Sequence, residues 1–132
     1  MRYSEYFEKV VELSESGGSV AAEKLLREAE KLALPEIANH LVLCAKAWMI
    51  LSNTDNAVRC LLEAGCNNCD VRSLLEIAGT YIELALHESG CRRCIKKALT
   101  AAKNEEDDLR LQEFSGKYQN YRCADGNPLY LQ

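Results

Sequence analysis

Apolar residues recur at spacings of three and four through most of the chain, the period required by a helix buried on one face, and the breaks fall at Gly, Pro and Asx clusters. This pattern predicts an all-α protein. The first helix spans about Tyr3 to Ser16 and stops at Gly17-Gly18, where positive φ carries no steric cost. A second runs from about Ser19 to Leu32. Pro35 suits the first turn of a third, whose core positions are Ile37, Leu41, Cys44, Ala45 and Trp48. Asn53-Thr54-Asp55 ends that helix and caps a fourth, which reaches Ala64 before Gly65. Asp70 caps a fifth extending to about Ala85, and the turn His87-Glu88-Ser89-Gly90 leads into a sixth that closes near Ala102. Glu105-Glu106-Asp107-Asp108 opens a seventh, with its acids at the positive end of the helix dipole. Leu111, Phe114, Tyr118 and Tyr121 form its apolar stripe, and the tail from Cys123, with Gly126-Asn127-Pro128, reads as irregular.

The helices pair into copies of one another. Ala57-Val58-Arg59-Cys60-Leu61-Leu62-Glu63-Ala64 lies 34 positions before Cys91-Arg92-Arg93-Cys94-Ile95-Lys96-Lys97-Ala98, with small residues at both ends of each segment. The same offset of 34 carries Leu41 to Leu75, Ala45 to Gly79 and Trp48 to Ile82, and an offset of 35 carries Ala22, Leu26 and Ala29 to Ala57, Leu61 and Ala64. Small residues at such places let neighbouring helices approach, and large ones fill the space between hairpins.

These segments resemble the tetratricopeptide repeat family, from about residue 3 to residue 105. The first copy departs by placing Lys9 where an apolar residue is expected, and Pro35 falls just past the family's usual proline. The resemblance implies three antiparallel helical hairpins, at about 3–34, 35–66 and 70–103, wound into a right-handed superhelix. The helix at about 105–121 would cap the open end, making one domain of residues 1–122 followed by an irregular tail at 123–132.

Composition narrows the function. A hydrophobic content of 48% with 27% charged residues suits a folded domain. The net charge of -4 and the pI near 5.3 disfavour nucleic acid as a partner. The start, Met1-Arg2-Tyr3-Ser4-Glu5, is polar and no apolar run approaches the length of a membrane span, so neither a membrane partner nor a secretory route is expected and the chain reads as cytoplasmic.

Seven cysteines form an odd set, which weighs against a disulfide framework in a chain read as cytoplasmic. Cys66-Asn67-Asn68-Cys69 and Cys91-Arg92-Arg93-Cys94 have zinc-site spacing, yet the repeat places Cys91 and Cys94 on a core stripe and Cys66 and Cys69 at the far end of the preceding hairpin. No metal and no cofactor is therefore expected. Cys44 and Cys60 read as buried, and Cys66, Cys69 and Cys123 as exposed. His40 and His87 stand alone and read as solvated side chains, and the chain has no phosphate-cradling loop, zinc-protease motif or nucleophile elbow. The cluster of Arg92, Arg93, Lys96 and Lys97 is the one basic patch; an RNA-reading repeat and a solvated helix face compete to explain it, and the net charge favours the second.

The function expected is non-enzymatic binding of another protein or peptide. The repeat register assigns a concave groove to Phe7 and Val11, to Val42, Lys46, Met49 and Ile50, and to Glu76, Thr80, Glu83 and Leu84. Where relatives clamp a chaperone's C-terminal carboxylates, this chain carries Phe7, Val11, Leu43, Ser73 and Ile77, so such tails are not the expected ligand. An amphipathic helix or an extended apolar segment fits instead, and the chain's own Leu129-Tyr130-Leu131 or a second copy in a homo-oligomer compete for the groove. Two further functions remain open: a small acidic chaperone of a bacterial secretion system, and a zinc or redox protein using its cysteine pairs.

Overall fold

The computed structural model describes residues 3–86 and 88–121; His87, and the tail with Cys123 and Leu129-Tyr130-Leu131, lie outside the described residues. The described chain is helical throughout: α1 (Tyr3–Glu15), α2 (Ser19–Leu32), α3 (Ala38–Ile50), α4 (Thr54–Asn67), α5 (Val71–Glu83), α6 (Glu88–Ala101) and α7 (Glu105–Lys117). None of these helices is long and apolar enough to cross a membrane. The chain divides into two compact units, Met1–Asn68 and Cys69–Gln132.

In the first unit α1 pairs with α2 and α3 with α4, and α3 also packs against both α1 and α2. Its core is built from small residues alternating with large ones: Ala22, Ala29, Ala45, Ala57 and Ala64 are buried beside Leu26, Leu41, Trp48 and Leu61. In the second unit α5 pairs with α6, and α7 lies on α5. Leu74, Ile77, Ala78, Tyr81, Cys91, Cys94, Ile95 and Ala98 form that core, with Phe114 of α7 closing it.

The first helix of each pair ends in the same way. Gly17, Ser52 and Ala85 have φ of 82°, 59° and 52°. Each donates its N–H to the carbonyl three residues back (Ser14, Met49, Ile82), and the next residue donates to the carbonyl five back (Leu13, Trp48, Tyr81). These are Schellman caps, and a left-handed residue is their requirement. Only the first has glycine. Ala85 is exposed, so Ala85→Gly should raise stability by about 0.5 to 1 kcal/mol, the relief of left-handed strain less the added freedom of glycine in the unfolded chain. A higher urea midpoint with an unchanged slope is the expected result, and a lowered midpoint would refute the cap.

The caps also reset the repeat. α3 begins at Ala38 and α5 at Val71, an offset of 33 (71 − 38), rather than the 34 read from the sequence. Leu41, Ala45 and Trp48 therefore correspond to Leu74, Ala78 and Tyr81, and all six are buried. The residues paired in the sequence, Leu75, Gly79 and Ile82, sit one place further round α5.

Other boundaries moved for local reasons. Pro35 precedes α3 rather than opening it, because residues 34–37 form a turn in which the Ile37 N–H donates to the Leu34 carbonyl. The Leu34 N–H donates to His40 Nδ1, so this half-buried histidine fastens the turn instead of standing in solvent. α4 runs through Gly65 to Asn67. There the buried Asn68 amide donates to the carbonyls of Ala64, at 2.7 Å, and Pro35, at 3.1 Å, satisfying the helix end and tying it to the turn. Glu88 to Gly90 already belong to α6. Asn53 and Asp70 cap α4 and α5 by accepting the N–H of Asn56 and Ser73, and Asn104 does the same for α7 through Asp107.

Candidate functional site

α1 and α3 pack side by side in the first unit. Along their seam Tyr6, Phe7, Leu43, Cys44 and Ala47 surround an apolar cavity of about 10 Å³, closed beneath by Leu26 and Ala29 of α2. Phe7 and Val11 on α1 are half-buried, as are Lys46 and Met49 on α3, and Ile50 is exposed. Phe7 lines this cavity together with Leu43, Cys44 and Ala47 of α3, and Val11, Lys46, Met49 and Ile50 are partly exposed. Val42 differs. It is buried, 2% exposed, and offers a partner no surface.

The groove residues expected from the fifth helix fare unevenly. Glu76 is exposed and Leu84 half-buried. Thr80 is only 3% exposed, and its hydroxyl donates back to the Glu76 carbonyl. Glu83 is taken by α7: its carboxylate accepts the Tyr118 hydroxyl at 3.1 Å and Lys117 Nζ at 3.5 Å. Burial, with Glu83 adding to it, raises the Tyr118 hydroxyl above the usual phenol value. The Tyr118 ring stacks at a tilt on Phe114, with centroids 4.8 Å apart, and its hydroxyl lies against Gly79, where an added Cβ would come within 3.1 Å. Phe114 and Tyr118 thus cover Gly79, and Thr80, being buried, leaves the list of open groove residues; Glu83 stays exposed but is engaged by Lys117 and Tyr118.

A second polar feature lies on the α2–α4 side of the first unit. Glu30 Oε1 accepts from Arg59 Nη2 at 2.6 Å and from Cys60 Sγ at 2.9 Å. Burial first, and then the neighbouring Glu30, push the Cys60 thiol well above the usual cysteine value. Burial alone would lower the Arg59 guanidinium, but Glu30 more than offsets it and holds it raised. The arrangement keeps Cys60 as a neutral donor. It edges an open cleft of about 410 Å³ that also takes in Arg27, Lys31, Pro35 and Glu63. Cations and carboxylates are mixed there, and the Arg59–Glu30 pair at its edge joins α4 to α2, which suits a structural role.

The cysteines separate as their register predicts: Cys44, Cys60, Cys91 and Cys94 are buried, and Cys66 and Cys69 exposed. Cys91 Sγ donates to the Ala78 carbonyl at 3.4 Å, inside the α5–α6 core. Among the described residues no group of three or more His, Cys, Asp or Glu converges as a metal site would. One grouping escaped the sequence pattern. Cys69 lines one cleft of the second unit together with Arg93, Lys96 and Lys97, a grouping of a loop and a helix face more than twenty positions apart that no local spacing encodes.

Comparison of the chain with protein-family models, with curated proteins and with solved structures finds no match.

Proposed function

We propose that the chain is a non-enzymatic interaction module of tetratricopeptide-like build, its three hairpins wound as a right-handed superhelix, that holds an apolar helix or extended segment of another protein against α1 and α3. The observation that supports it is the pairing of those helices with Phe7, Val11, Met49 and Ile50 left partly in water around Lys46. Apolar side chains that keep solvent-facing surface on two adjacent rigid helices form the kind of groove into which an amphipathic helix lays its own apolar stripe. Lys46 sets one electrostatic condition: the bound segment carries an acid or a carbonyl at that height.

The test is Met49→Asp. Met49 is half-buried in the free chain, so a carboxylate there keeps its water and the fold is retained. In the complex the same carboxylate is desolvated without a partner, and capture from the source cell should be lost while circular dichroism stays unchanged. A folded Met49→Asp protein that captures the same partner at the wild-type level removes this surface from consideration.

A further inference from the structure

The second unit contains a cleft of about 360 Å³ whose lining is Cys69, Arg93, Lys96, Lys97, Thr100 and Ala101. Positions 93, 96, 97, 100 and 101 form one face of α6, and Cys69 reaches them from the loop just ahead of the α5 cap. Three of the six lining residues are cations and none is acidic. The nearest acid in sequence, Asp70, is turned to the start of α5, where it accepts the Ser73 N–H at 2.9 Å. The Thr100 hydroxyl donates to the Lys96 carbonyl and is spent there. What remains is an exposed thiol in a positive cleft, on a protein whose net charge is -4.

We propose that this cleft is a thiol-modification site that draws in a small anionic disulfide of the glutathione class, whose carboxylates Arg93 and Lys96 hold while Cys69 takes up half of it as a mixed disulfide. Cys69 gives its proton to solvent, and its sulfur attacks one sulfur of the reagent. The reagent's S–S bond breaks as the Cys69 S–S bond forms. The bonding pair leaves on the other half as a thiolate, which takes a proton from solvent. The Cys69 sulfur is oxidised and the departing sulfur reduced, so no further reactant is required. The cations act on both ends of the step: they concentrate the anionic reagent beside the thiol, and they hold the carboxylates of the adduct once it has formed.

Cys66 supplies the comparison within the same molecule. It is also exposed, but it sits in the last turn of α4, which has no basic residue, with Glu63 one turn before it. The full-length protein is treated with glutathione disulfide, and separately with cystamine, a cationic disulfide, and the occupancy of each cysteine is followed by peptide mass spectrometry. Glutathione disulfide at low ionic strength should modify Cys69 about tenfold faster than Cys66, and salt should shrink that ratio. Cystamine should abolish or reverse the preference. Arg93→Glu with Lys96→Glu, both at exposed positions, should bring the Cys69 rate with glutathione disulfide down to that of Cys66 while raising the rate with cystamine. Equal rates at Cys66 and Cys69 with glutathione disulfide would overturn the proposal. A Cys69 preference that persists with cystamine would overturn it too, since accessibility alone would then explain the reactivity.

Discussion

Trp48→Ala should destabilise the protein by about 3 kcal/mol or more, the range found when a large buried aromatic is truncated and its cavity only partly refills. Trp48 is 0% exposed and stands at the end of α3, where its carbonyl accepts the second hydrogen bond of the Schellman cap. The Arg27 guanidinium of α2 lies over its ring, 5.3 Å from the centroid. The side chain therefore joins one hairpin to the next within the first unit, and its removal strips packing from α2 and α3 together. Among the described residues the indole N–H meets no acceptor. The contribution of Trp48 is thus one of packing, and Trp48→Phe, which removes that donor and keeps a ring, should cost much less than Trp48→Ala. Urea unfolding of the two variants checks this; a loss below about 1 kcal/mol for Trp48→Ala would mean that the ring is not wedged between helices.

Gly90→Ala is the second large effect, and it runs against helix propensity. Alanine is worth about 1 kcal/mol over glycine inside a helix. At Gly90, in the first turn of α6, an added Cβ would lie 2.6 Å from both Cζ and the hydroxyl oxygen of Tyr81. Tyr81 is 1% exposed, so its ring has no water to swing into. Either α6 shifts from α5 or the ring leaves its rotamer, and overpacking of this kind costs about 1 to 3 kcal/mol. A net loss of about 2 kcal/mol is expected. Gly116 in α7 is the control, because a Cβ there meets nothing within 4 Å. Gly116→Ala should gain stability by the propensity term alone, up to about 1 kcal/mol. If both substitutions stabilise equally, the α5–α6 packing described above is wrong.

Trp48 and the helix caps also show how far the sequence could be read. Trp48 was identifiable as core because large apolar residues recur at helical spacing, and Gly17 because glycine marks a left-handed cap. The matching caps at Ser52 and Ala85 were hidden, since neither residue announces positive φ. Without them the period of 34 lays the fifth helix one place out of register. Apolar residues stand in adjacent pairs there, Leu74-Leu75 and Tyr81-Ile82, so a slip of one still lays apolar on apolar. The caps at Ser52 and Ala85, 33 positions apart (85 − 52), decide the matter, and the burial of Tyr81 beside a half-buried Ile82 agrees with them.

Long-range polar contacts were less legible still. Asn68 extends α4 past Gly65 by reaching the Pro35 carbonyl, and His40 caps a backbone N–H six residues before it. Glu83, read as a free acid of the groove, is bound by Lys117 and Tyr118 from a helix 34 and 35 positions on. The cleft joining Cys69 to the basic face of α6 belongs to the same class. The four basic residues were visible as a cluster, but periodicity along a helix says nothing of which loop will fold over it.

Binding of a partner by α1 and α3 is measured by titration calorimetry of the captured partner against wild-type, Met49→Asp and Val20→Asp proteins. Val20, 86% exposed on α2, is the control for adding an acid to the surface. Met49→Asp should weaken binding by about 100-fold or more, as loss of a central contact does, while Val20→Asp should leave it unchanged. Wild-type affinity in a folded Met49→Asp protein, or loss of binding in Val20→Asp, would contradict it.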